Sequence, residues 1–383
     1  MLNFAIDAYR LVAEPRTSGA AYVTRMVRAL VETGSVGSIH LLLSRRPGRD
    51  FLFDELLTLP GTRAVWPGRP LHPEAGMIQN ILWIQRAVPE LLARSVRDVH
   101  CYIAPYHQTP VRLPRQVRVA TVIHDLCGIS RLAGYTPLNK AYYLHRFNFL
   151  TAQRRADRLI PISEFTRAQL LKYMPSAAGR VTAPLYNAVT TATVSATDAI
   201  NVIARWGLQR GTYFVAFGGG GKRKGVDLTL AAFADYRGLG GKARLMLIGG
   251  SKAQLEANQR LPKEVWETVN VVKDIPDYER DCLYRGAIAL LFPSRCEGFG
   301  YPLVEAMKQG CPPIAWEATP AREIVSDVVP LLPELDTERL SEAMAAYDRA
   351  RIERAELESR LIARARAFSG RSFGDDLLRL LAG

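Results

Sequence analysis

Two carboxylates, a run of cations and one histidine carry the clearest chemistry in this sequence. Glu297 and Glu305 stand with seven residues between them, and the turn Gly298-Phe299-Gly300 falls inside that interval. Glycines beside a helix start leave backbone N–H groups free to meet an anion. A glutamate in a first helical turn also complements the helix dipole, so a capping pair around a tight turn accounts for the same spacing. The second group is Gly218-Gly219-Gly220-Gly221-Lys222-Arg223-Lys224-Gly225. Glycines and cations between a strand and a helix suit a polyphosphate, and a basic surface loop is the alternative. It is not a Walker A loop, because Lys224 is followed by Gly225 rather than Ser or Thr. The third is His124-Asp125 after an apolar run. The carboxyl end of a parallel strand is where open α/β sheets bind ligands. A histidine hydrogen-bonded to its neighbours is the plain alternative.

The elements that must hold these groups alternate. Apolar runs at 3–8, 39–44, 99–104, 117–123 and 158–162 predict strands. Residues 19–31 carry helical spacing, and Gly19 at the first strand–helix turn allows close backbone approach. Residues 47–76 are rich in Pro and Gly. Residues 77–94 predict an apolar-striped helix that Pro89 should kink or break. With Arg86, Arg94 and Arg97 around it, that stripe fits either a core helix or one lying on a membrane. Residues 136–156 predict a helix, and Ser163 a cap for the next. Residues 188–200 are small and polar and predict a linker. The alternation then restarts: strands at 213–217, 243–249, 269–273, 288–292 and 314–316, and helices at 226–236, 277–285, 302–309, 340–367 and 373–381. Proline opening the 302–309 helix and Gly310 closing it are the usual asymmetry. Two alternating β/α halves predict two Rossmann-like α/β domains.

The 383 residues exceed a usual single core. A hydrophobic content of 48% excludes a disordered chain. No apolar run is long enough for a membrane span, and the N-terminus lacks the pattern of a secretory signal. The five cysteines form no C-x-x-C pair, which fits a reducing cytoplasm better than a zinc site or a disulfide framework. A net charge of +13 draws the chain to polyanions: a diphosphate, an anionic membrane surface or nucleic acid. The cations are scattered, without a basic tail or a nucleic-acid module.

The segment from Glu297 through Glu305 to Gly310-Cys311-Pro312-Pro313 resembles the Glu-seven-Glu signature of retaining glycosyltransferases with the GT-B fold, the group 1 (family 4) type. Other segments resemble the same family: Ile123-His124-Asp125, Ser163-Glu164-Phe165-Thr166, and the glycine loop through Arg223-Lys224-Gly225. Residues 181–187 resemble the strand before the family's interdomain Asn-Gly, from which Asn187-Ala188 departs. Gly219 stands where many members carry arginine, and Gly370 replaces the tryptophan of Phe-Ser-Trp. The resemblance implies two Rossmann-like domains facing a cleft: 1–190 for the acceptor, 191–365 for the sugar-nucleotide donor, and a helix in 366–383 crossing back to the first domain. It implies that His124, Glu297, Arg223 and Lys224 are catalytic. The donor would be bound by Gly19, Gly218, Gly219, Arg223, Lys224, Gly298, Phe299, Gly300, Leu303, Val304 and Glu305. In the family the first glutamate lies by the donor sugar and the second binds the ribose. The expected reaction retains configuration, the leaving phosphate taking the acceptor proton, with no metal or other cofactor. The pattern is similar to bacterial mannosyltransferases that use GDP-mannose. The implied partners are a nucleotide sugar and a glycan or lipid-linked acceptor of surface polysaccharide synthesis. The implied location is the cytoplasm, with the basic chain visiting the anionic inner face of the membrane. A sugar-nucleotide epimerase or glycogen-type synthase of the same architecture is the alternative enzyme. A basic nucleic-acid-binding protein is the alternative of another class, against which the scattered cations weigh.

Overall fold

The computed structural model describes the chain except for residues 16, 49–52, 69–79, 95–97, 131–139, 220, 260, 351–353, 371 and 383. Arg97, Gly220, much of the Pro/Gly-rich stretch and the starts predicted for the 77–94 and 136–156 helices lie outside the described residues. The chain forms two compact units. The first holds residues 1–129, 136–188 and 370–383; the second holds 130–135 and 189–369. The boundary near 190 falls close to the linker, and the return to the first unit comes at 370 rather than 366.

The first unit is built on a parallel sheet of β1 (Leu2–Asp7), β2 (Val36–Leu42), β3 (Thr62–Val65), β4 (Cys101–Ala104), β5 (Arg118–Ile123) and β6 (Arg158–Pro161), in the order β3-β2-β1-β4-β5-β6. Register runs Phe4 to Cys101 and Ile103 to Ala120. The inner strands β4 and β5 are buried and largely apolar, as parallel sheets require, while β2 and β3 towards the edge carry His40 and Arg63. Trp83, Val88, Leu91 and Tyr102 form one core cluster; Ile123, Phe149, Leu159 and Leu170 form another. Trp83, Ile84, Ala87, Val88, Leu91 and Leu92 therefore form a core face, not a membrane-facing one. Proline at position 89 removes an N–H. The helix meets this with a π turn at Trp83–Ala87 before the α-helix Val88–Arg94. Residues 181–187 do not make a strand. They give only a bridge from Val181 to Leu159 and scattered bonds to β6, and Pro184 has no N–H for a ladder.

The second unit is a parallel sheet of β7 (Tyr213–Phe217), β8 (Arg244–Ile248), β9 (Val269–Val272), β10 (Leu290–Phe292) and β11 (Pro313–Ala315), ordered β11-β10-β7-β8-β9. Phe214, Leu245, Leu247, Phe233, Leu340 and Met344 are among its core. The predicted linker is shorter than its composition suggests. Ser195 caps a helix over Ala196–Arg205, accepting from the Asp198 N–H at 3.0 Å. The apolar face of that helix packs on the Asp277–Gly286 helix, with Gly286 leaving room for Ile203. The single helix predicted at 340–367 is two, Thr337–Arg349 and Arg354–Ala365.

Both sheets reverse their strand order once: between β1 and β4 in the first unit, and between β7 and β10 in the second. At such a switch point the adjacent loops part and leave a crevice at the carboxyl ends of the strands.

Candidate active site

In the second unit the switch point is formed by the loops leaving β7 and β10. Gly218 continues β7, its N–H bonded to the Ile248 carbonyl at 2.8 Å. A Cβ there would lie 2.4 Å from the Gly249 carbonyl oxygen, so only glycine lets the two loops close up. Gly219 faces open space. The loop then makes a 3-10 turn, Gly221–Lys224, and enters the Val226–Gly238 helix through Gly225 at φ +70°.

The glycine loop is tied to the turn after β10 by Arg295. Its N–H donates to the Arg223 carbonyl at 2.9 Å, and its guanidinium donates to both Asp227 oxygens at 2.8 Å and to the Lys222 carbonyl at 2.5 Å. Arg223 answers in the other direction, donating from Nη1 to the Cys296 carbonyl at 3.1 Å. Two loops distant in sequence thus act as one rigid edge.

On that edge sit three of the predicted catalytic side chains. Oε1 of Glu297 accepts from Arg223 at 3.2 Å and from Lys224 at 2.5 Å. The Glu297 residue is 9% exposed, and Oε2 has no partner among the described residues. The Lys224 ammonium also lies 5.4 Å from the Phe292 ring centre. Two cations against one carboxylate leave an excess positive charge beside an oxygen that can still accept a hydroxyl. That is an arrangement able to hold a diphosphate and a sugar hydroxyl together.

Gly300 caps the Tyr301–Lys308 helix at φ +93°. Phe299 is 2% exposed and packs on Tyr301 and Phe368. Leu303 and Val304 are buried too. These three side chains belong to the core, so at this turn only backbone can reach a ligand. Glu305 is held from the side: the Arg280 Nε lies 3.5 Å away, and the Tyr284 hydroxyl donates across 3.5 Å. Burial raises the Glu305 pKa, with the Arg280 charge pulling against it. Arg280 also pairs with Asp277 and Asp281. Sequence reasoning missed Arg280 and Arg295. Each is a lone arginine with no periodic or motif signal.

In the first unit the switch point gathers residues that spacing does not single out. Asp7 ends β1, its Oδ1 accepting from the Tyr9 N–H at 3.0 Å and from Trp83 Nε1 at 2.9 Å; burial pushes its pKa up to about 6. Beyond β4, Tyr106 stacks on His124 at 4.9 Å, and the Arg10 guanidinium covers the Tyr106 ring at 4.1 Å. Tyr22 meets His124 edge-on at 4.7 Å. Gly19, just after the Thr17 cap of the Ser18–Glu32 helix, lies under this group. A Cβ there would come within 2.4 Å of the Tyr106 hydroxyl. The nearest neighbours of Gly19 are thus the chain's own Tyr106 and Arg10.

His124 Nε2 lies 2.8 Å from the Pro105 carbonyl oxygen, which can only accept, so Nε2 carries the proton. Burial pushes its pKa down to about 4. The ring is neutral near pH 7, and Nδ1 is left as an acceptor.

Residues 204–368 match the family model described as glycosyl transferases group 1. The O-antigen chain mannosyltransferase B of Escherichia coli is 26% identical over 62% of this chain. The chain spans 63% of the length of that relative. Among solved structures, WaaG, a glycosyltransferase involved in lipopolysaccharide biosynthesis, superposes with a TM-score of 0.72 at 15% identity over 100% of both chains. HepE of Anabaena, solved with UDP and glucose, gives 0.70 at 15% identity, over 100% of this chain and 99% of its own. The two parallel-sheet α/β units are those of the GT-B fold. The chain thus shares the GT-B fold with these structures, and its residues 204–368 carry the match to group 1 glycosyl transferases.

Proposed function

We propose that this protein transfers mannose from GDP-mannose, with retention, to a glycan or lipid-linked acceptor in lipopolysaccharide or O-antigen-type synthesis. The observation that carries this reading is the grip of Arg223 and Lys224 on one oxygen of Glu297. The cations take the charge that grows on the leaving diphosphate, and the backbone of the Gly298–Gly300 turn adds to them. The free oxygen of Glu297 accepts from a donor-sugar hydroxyl. Glu305 accepts from the ribose, its position set by Arg280 and Tyr284. Neutral His124 accepts at Nδ1 from a hydroxyl of the sugar or acceptor. The leaving phosphate takes the acceptor proton on the face it vacates, and no metal is needed.

Mannose is supported by the name of the Escherichia coli relative and by the Ile-His-Asp and Arg-Lys-Gly pattern. The UDP and glucose in HepE favour UDP-glucose as a second reading. The net charge of +13 suits work at the anionic inner face of a membrane. No helix among the described residues is long and apolar enough to cross one.

A nucleotide panel tests the donor. GDP, UDP and ADP are added with EDTA, and thermal unfolding is followed. At about a hundred times its dissociation constant a ligand adds about 2.7 kcal/mol. Stabilisation by GDP, lost in Lys224→Ala, is the expected result. Stabilisation by UDP alone replaces mannose with glucose, and the absence of any response overturns the donor site.

A further inference from the structure

The chain enters the second unit at Val189 and leaves it at Ser369. The stretches just inside these two crossings, residues 191–194 and 366–369, contribute walls to one cavity of about 290 Å³. Arg285, Lys308 and Gln309 supply more of the wall, and the lining contains no carboxylate. None of these residues belongs to the loops around Glu297.

Several features make this cavity more than a basic patch. The side chains of Arg285 and Arg366 have neither an ion-pair nor a hydrogen-bond partner among the described residues, whereas Arg205, Arg210, Arg280 and Arg295 of the same unit are each paired with a carboxylate. The third cation, Lys308, donates to the Val189 carbonyl, and Gln309 donates to the Ala192 carbonyl at 3.0 Å. These bonds fix the 189–194 stretch against the cavity floor. The hydroxyls of Thr191 and Thr193 have no partner among the described residues. Arg285 and Lys308 lie at the ends of their helices, where a C-terminus carries roughly half a negative charge. Two such ends offset about one of the three cations, leaving a positive excess. Burial lowers the Lys308 pKa, against the pull of Asp281.

We propose that this cavity binds a phosphate-bearing anion at a site separate from the donor loops. Arg285 and Arg366 supply the charge, and the Thr191 and Thr193 hydroxyls donate to the phosphate oxygens. The volume suits a phosphate or diphosphate group rather than a whole nucleotide sugar. A free phosphate and the headgroup of an anionic lipid share this chemistry.

The test uses the full chain carrying Arg223→Ala and Lys224→Ala, so that the donor loop cannot supply the response. Inorganic pyrophosphate is titrated against thermal unfolding, and sedimentation with vesicles of phosphatidylglycerol in phosphatidylcholine is measured beside it. Arg285→Gln with Arg366→Gln is then added, and circular dichroism checks that this protein is folded. For a free phosphate, pyrophosphate raises the melting temperature by roughly 3–5 °C at about ten times its dissociation constant, and the glutamine pair abolishes the rise. For a lipid source, pyrophosphate does nothing, and vesicle affinity falls about thirty-fold in the glutamine pair. Equal responses with and without the glutamine pair, or no response to either probe, overturn the proposal.

Discussion

One oxygen of Glu297 holds two cations, and the consequences of that sharing belong to single residues. On the proposed reading, Lys224→Ala removes one of the two cations that Glu297 holds for the diphosphate. Its kcat should fall about 10²–10³-fold with an unchanged circular dichroism spectrum; wild-type turnover would remove Lys224 from the site. His124 makes a prediction about pH. Because its pKa is pushed down to about 4, the pH–rate profile should show no histidine limb between pH 6 and 8 that disappears in His124→Asn. Stability behaves differently. His107, stacked on Phe149 at 4.7 Å, is lowered by burial to about 3. The unfolded state, with an ordinary histidine value near 6.5, then binds more protons below that pH. The contributions of His107 and His124 are complete above pH 6.5 and are lost as pH falls towards their folded values. Asp7, raised to about 6, acts oppositely: its contribution is present at low pH and is lost as pH rises from about 4 to 6. Unfolding measured between pH 7.5 and 5 should show a steep dependence that His107→Phe flattens by up to about 1.4 kcal/mol per pH unit.

Elements decide how these residues meet. Gly225 passes from the cation loop into its helix at φ +70°, and a Cβ there would lie 2.0 Å from the Pro293 carbonyl oxygen. Gly225→Ala meets the left-handed penalty of about 1–2 kcal/mol and also pushes the two loops apart. It should lower both the melting temperature and nucleotide affinity. The Asp277–Gly286 and Tyr301–Lys308 helices are joined by Arg280 and Glu305. Arg280→Ala leaves a part-buried carboxylate without its cation, costing about 3 kcal/mol at neutral pH. The cost should shrink as pH falls and Glu305 takes a proton; a pH-independent cost would mean that Glu305 is not the partner. The second-unit site was legible because each of its two loops is a contiguous pattern: four glycines then three cations in one, a glutamate before a glycine turn in the other. What joins them was not. Arg295 reaches Asp227 across the gap between two loops, and nothing in its neighbourhood repeats. The first-unit cluster was less legible still. Asp7, Arg10 and Tyr106 sit at the ends of β1 and β4, strands adjacent in the sheet but far apart in the chain. The four-residue edge strand β3, inside a Pro/Gly-rich stretch, gave too short a pattern to detect. The Ser195-to-Asp198 cap was hidden by a composition that otherwise fits a linker.

At the scale of the whole molecule, the chain leaves the first unit and returns to it. The Phe373–Ala382 helix packs on the Ser18–Glu32 helix, with Phe373 edge-on to Tyr22 at 6.1 Å and Gly374 pressed against the Ala29 carbonyl. Removing residues 370–383 should destabilise the first unit while leaving GDP stabilisation of the second. A single cooperative loss of both would show that the units do not unfold separately. The return also sets an order in time. During synthesis, residues 189–369 emerge before 370–383 do, so the second unit has all of its sheet and core while the first still shows the bare face of its Ser18–Glu32 helix. Domains usually complete themselves from the N-terminus onward. Here the second unit can be finished while the one begun earlier still waits for a helix. Until that helix arrives, the exposed apolar face around Tyr22 is a site for chaperone capture or misassociation.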